Sequence, residues 1–120
     1  MTTILYSSTY GTDDPTRATL PFLAAIGAID AGFKAQLLLQ GEAAFLMLDH
    51  LVGQIHGVGW PPLREVIEQV FEHKIPVFVW GGCAVARGVT EEDLADKNAE
   101  LISPARGAEL TVAADKIFNY

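Results

Sequence analysis

The chain has 120 residues, half of them hydrophobic, with 15 acidic against 8 basic side chains and a formal net charge of −7. That length supports one core and excludes two, so residues 1–120 are expected to form a single domain. The acidic excess argues against a general nucleic-acid-binding surface, and no apolar run reaches membrane-spanning length.

The N-terminus has no basic stretch and enters a strand almost at once, so no signal peptide is expected. Thr3 to Ser7 is short and alternates little, as a strand covered on both faces does. Ser8 to Asp14 is a polar loop in which Asp13 or Asp14 can cap the next helix, with Pro15 suited to its first turn. The helix then runs from Thr16 to Ala31, its apolar face formed by Leu20, Leu23, Ala24, Ile26 and Ile29, and Gly32 ends it. Lys34 to Leu39 is a second strand. Gln40-Gly41-Glu42 turns into an apolar helix, Ala43 to Val52, interrupted by Asp49 and His50.

Gly53 to Pro62 reads as a connection, and Leu63 to His73 as an amphipathic helix with Leu63, Val66, Ile67, Val70 and Phe71 inward. Ile75 to Trp80 is a buried strand. Gly81-Gly82 is read as a turn, and Cys83 to Arg87 as a short helix closed by Gly88. Thr90 and Asp93 bracket the start of another short helix, ending near Lys97, whose charged residues read as a solvated face. Ala99 to Ile102, Pro104 to Ala114 and Lys116 to Asn119 complete the chain as strand, helix and strand. Such alternation predicts an α/β three-layer sandwich, with a mainly parallel sheet of about five strands and helices on both faces.

Cys83 is the only cysteine, so there is no disulfide framework, and the expected compartment is the cytoplasm. A thiol in the first turn of a helix faces unpaired N–H groups and the positive end of the dipole, which favour the thiolate. Gly81 and Gly82 leave room for a reacting partner. The competing reading is a small core hydrophobe. Arg87, one turn further on, suits either a stabiliser of the sulfur anion or a plain cation at a helix C-terminus. In such sheets ligands bind beyond the carboxyl ends of the strands, where Tyr10, Gly11, Thr12 and Gln40 join Gly81 and Gly82 as candidate substrate-binding residues. The Tyr10-Gly11-Thr12 loop suits either an anion or ordinary helix capping.

His50, His56 and His73 match no zinc spacing, so no metal is expected. Asp49-His50 remains a candidate activator of the thiol. Trp60 and Trp80 read as core or interface anchors. Ala43 to Val52 has more apolar residues than one buried face needs, which predicts association of subunits.

These segments together resemble the DsrE/DsrF-like sulfur-relay family, whose small cytoplasmic proteins bind or transfer sulfane sulfur. The resemblance runs through nearly the whole chain. Its most specific part is Pro76 to Gly88, supported by Tyr10-Gly11-Thr12 before a long helix and by Ala114-Asp115-Lys116-Ile117-Phe118. The fold implied is DsrEFH-like, and the function implied is a sulfur carrier or sulfurtransferase holding a persulfide on Cys83. Its partners would be sulfur donor and acceptor proteins or small thiols, with no nucleic acid, membrane span or cofactor. The assembly implied is a homotrimer or homohexamer. One departure stands out: the position of the usual family cysteine holds Trp80, and Cys83 matches a second cysteine found in one branch. The alternative is therefore a non-catalytic ligand-binding or assembly module of the same fold. A nucleotide- or flavin-binding domain using Ser7 to Thr12 is a third reading.

Overall fold

Parallel strands need long crossovers, and the alternation of apolar runs with helical segments supplies them. The computed structural model describes residues 1–120. Strands β1 (Thr3–Ser8), β2 (Lys34–Leu39), β3 (Val77–Trp80), β4 (Ala99–Ile102) and β5 (Lys116–Asn119) form one sheet in the order β4-β3-β2-β1-β5. Every neighbouring pair is parallel. The helices are α1 (Pro15–Asp30), α2 (Asp49–Val52), α3 (Leu63–Glu72), α4 (Gly81–Ala86) and α5 (Pro104–Ala113). This is the α/β sandwich the sequence predicts.

Alternation along each strand sends neighbouring residues to opposite faces. Leu37, Leu39, Val77 and Val79 enter a core of 24 buried residues with Phe22 of α1 and Leu63, Val66, Ile67 and Val70 of α3. Leu5, Leu38, Phe78 and Ile102 face the other way and meet Leu110 of α5 in a cluster of only five buried residues. The sheet is thus deeply covered on one face and thinly on the other. No helix is long and apolar enough to cross a membrane.

Three local expectations are corrected. Ala43 to Val52 is not one helix but a 3₁₀ helix, Gly41–Met47, followed after extended Leu48 by α2. At three residues per turn, side chains three apart eclipse. Ala43 and Leu46, and likewise Ala44 and Met47, then point the same way, and all four are buried. Of the apolar residues that suggested an outward-facing stripe, Leu46, Met47 and Val52 are buried, while Phe45, Leu48 and Leu51 stay partly exposed. Second, Gly81 and Gly82 are not a turn; β3 runs straight into α4, with the two glycines as its first residues and Trp80 as N-cap. Third, Lys97 is buried rather than solvated. Its Nζ lies 3.1 Å from Asp49 Oδ1 and donates to the Asp93 carbonyl at 2.5 Å. The capping box at Thr90 and Asp93 forms as expected. Hydrogen bonds from the Thr90 backbone and hydroxyl hold the Asp93 carboxyl below the usual aspartate range.

Candidate functional site

Cys83 sits in the first turn of α4, beyond the carboxyl end of β3. It is partly buried against the larger core and is a free thiol. Gly81 packs closely on β4, since a Cβ there would lie 3.5 Å from the Ile102 carbonyl oxygen, whereas a Cβ on Gly82 would meet nothing within 4 Å. Gly82 thus faces open space at the exposed start of the helix. Beyond the helix Gly88 takes φ of +75°, and the Val89 N–H returns to the Ala84 carbonyl at 2.9 Å. That left-handed closure favours glycine and turns the chain back towards the core.

Arg87 ties this helix to the segment after β2. Its Nη1 donates to the Cys83 carbonyl at 3.1 Å, and its Nη2 meets Glu42 Oε1 at 2.6 Å. The guanidinium also lies over the Phe45 ring, 5.5 Å from the centroid. Its Nε is buried without a partner. The hydrogen bond to Glu42 raises Arg87 above its ordinary range by more than burial lowers it, and the charge of Glu42 adds to the rise.

Glu42 is the residue that sequence reasoning left out of the candidate set. It is held by Gly11: a Cβ on Gly11 would stand 2.1 Å from the Glu42 carbonyl oxygen, so only glycine admits this approach of two backbones. Gly11 thus joins the Cys83 neighbourhood through Glu42 and Arg87. Its own N–H is occupied by Asp13 Oδ1 at 2.8 Å. Asp14 caps α1 by accepting from the Arg17 N–H.

The other candidates fall elsewhere. The Tyr10 hydroxyl accepts from Arg17 Nη1 at 2.9 Å, and Tyr10 lines a cleft with Leu20 and Tyr120. Thr12 is exposed. The Gln40 amide donates to the Ser7 hydroxyl at 2.8 Å and lines a cavity of about 420 Å³ under α5, with Trp80, Gly107 and Asn119. That cavity belongs to the thin face and does not include Cys83. Trp80 packs there too, its indole N–H buried without a partner, and a Cβ on Gly107 would come within 3.1 Å of that nitrogen. Asp49 is engaged by Lys97, and its carbonyl accepts from Arg64. No three His, Cys, Asp or Glu side chains converge in a way that would hold a metal ion.

The profile of the DsrE/DsrF-like family matches residues 3–120. The chain belongs to that family. Among solved structures, this family member is similar to the ychN protein from E. coli, with a TM-score of 0.79 at 20% identity over 100% of both chains. It is also similar to a conserved protein of unknown function from Bacteroides thetaiotaomicron. That TM-score is 0.66 at 14% identity, covering 98% of this chain and 94% of the other. These likenesses establish the DsrE-like fold. No curated protein matches the chain.

Proposed function

We propose that this DsrE/DsrF-like protein carries sulfane sulfur on Cys83 and passes it to an acceptor. The observation that carries the reading is the placement of a lone, partly exposed thiol in the opening turn of α4, beside Gly82 and held from behind by Arg87. The Cys83 thiolate attacks a sulfane sulfur of the donor. The donor S–S bond breaks, its electron pair leaves with the departing thiolate or sulfite, and Cys83 becomes a persulfide. An acceptor thiolate then attacks the outer sulfur and returns Cys83 as the thiolate, so the cycle is redox-neutral. Backbone N–H groups at the start of α4 favour the anionic sulfur in both states.

Gly81 and Gly82 would admit the donor, while Gly11 acts through the segment it supports. Tyr10, Thr12 and Gln40 would border the approach of a partner along the carboxyl edge. The protein would work in the cytoplasm as one domain, in a homotrimer or homohexamer, with sulfur donor and acceptor proteins or small thiols as partners. Exposed Val85 and Phe118 are apolar contacts available to them.

Cyanide discharge tests the reading. Protein treated with polysulfide and desalted should release about one equivalent of thiocyanate per chain, as expected of a single persulfide. Cys83→Ser should release none. Equal release from both proteins would place the sulfur elsewhere and end the proposal.

A further inference from the structure

Arg87 and Glu42 form a pair of opposite charges whose cationic half is bonded to the backbone of the candidate nucleophile. We propose that Glu42 is a positioning residue that offsets the charge of Arg87 at Cys83 and so selects against anionic sulfur donors, an inference that rests on the reading of Cys83 as a reactive thiol. The geometry is direct: Glu42 Oε1 is 2.6 Å from Arg87 Nη2, and Arg87 Nη1 is 3.1 Å from the Cys83 carbonyl oxygen. Both side chains are only partly exposed, so solvent screens the pair incompletely.

The elements packed against α4 bring few other charged side chains. Of the elements packed against α4, the 3₁₀ helix brings Glu42 and β3 brings no ionisable side chain. β4 brings Glu100, which is exposed and in register with Phe78 on the opposite face of the sheet. Among these elements, Glu42 is thus the carboxylate set directly against Arg87 beside α4. An uncompensated guanidinium would draw in dianionic donors such as thiosulfate and would lower the thiol pKa. The offset pair attracts such anions less, which leaves the site open to neutral sulfane donors such as organic polysulfides. Gly11 maintains the arrangement, because its backbone fixes where the Glu42 residue lies.

The two halves of the pair act on the thiol with opposite sign, which structural loosening cannot imitate. Alkylation of Cys83 is followed against pH with neutral iodoacetamide and with anionic iodoacetate. Glu42→Gln should lower the pH midpoint by about 0.5–1 unit, the size expected for removal of one partly screened charge. Arg87→Ala should raise it by a similar amount, and the double variant should return close to the wild-type value. Above the midpoints, the iodoacetate-to-iodoacetamide rate ratio should rise in Glu42→Gln and fall in Arg87→Ala. If Arg87→Ala does not fold, Arg87→Lys replaces it, and retention of charge should keep the midpoint near wild type. Midpoints that move together, or stay fixed in Glu42→Gln, would overturn the inference. Midpoint shifts without any sulfur loading would support it while removing the sulfur-carrying function, so the two failures are distinct.

Discussion

The two faces of the sheet differ in depth, and the residues at the end of β3 divide between them. Phe78 and Trp80 join the small cluster under α5, while Val77, Val79 and, beyond the strand, Cys83 pack on the large core beneath α1 and α3. A displacement of three residues, from Trp80 to Cys83, therefore moves a side chain from one face to the other. On the thin face, position 80 is filled by an indole against Gly107; on the deep face, position 83 offers a thiol backed by an ion pair. The proposed site therefore has the larger core behind it, whereas the small cluster backs only the indole.

The largest test of that contrast is core truncation. Phe22→Ala should cost about 3–5 kcal/mol, because it empties the centre of the deep core. Leu110→Ala on the thin face should cost about 2 kcal/mol, near the low end for such truncations, since fewer neighbours surround it. Because the phenylalanine truncation removes more atoms, the matched comparison is Leu37→Ala on the deep face, and equal losses for it and Leu110→Ala in urea titrations would mean equally packed faces. Gly11→Ala should cost about 2–3 kcal/mol, as a Cβ forces two backbones apart. It should also change the rate of Cys83 alkylation, although residue 11 does not touch the thiol. A normal alkylation rate in a destabilised Gly11→Ala would separate stability from the site.

Gly107→Ala should be milder, about 1 kcal/mol, with a shift in Trp80 fluorescence and no change at Cys83, because the strain stays on the thin face. The smallest effect is electrostatic. The Asp93 carboxyl is held below its usual range by Thr90, so its contribution is present above the ordinary aspartate pKa of ~3.9 and fades as pH falls through the lower folded value. Asp93→Asn should destabilise at neutral pH, and the difference from wild type should narrow in acid. A difference independent of pH would contradict that assignment.

Most of the fold was legible because its elements are locally determined. Short apolar strand runs, Asp14 before Pro15, Gly32 after α1 and the Thr90–Asp93 box each act within a few positions. The placement of Cys83 at the head of a helix was legible for the same reason, although the glycines proved to be helical. Glu42 was not legible, because its partner lies 45 positions away and the approach depends on Gly11 meeting it across the sheet edge. Lys97 looked solvated because its ionic partner, Asp49, is likewise remote in sequence. Residues 43–52 misled for another reason: an apolar run fits both an α-helix and a tighter 3₁₀ turn, and packing chose between them.

The claim that Cys83 is the sulfur-bearing residue is tested most directly by intact mass. Folded protein exposed to an organic polysulfide and then desalted should gain one sulfur, about 32 Da, reversed by dithiothreitol. Peptide mapping should put the added mass on the fragment containing Cys83, and Cys83→Ser should show no gain at an unchanged melting temperature. A wild-type protein that gains no mass while its thiol also resists alkylation at neutral pH would contradict the account.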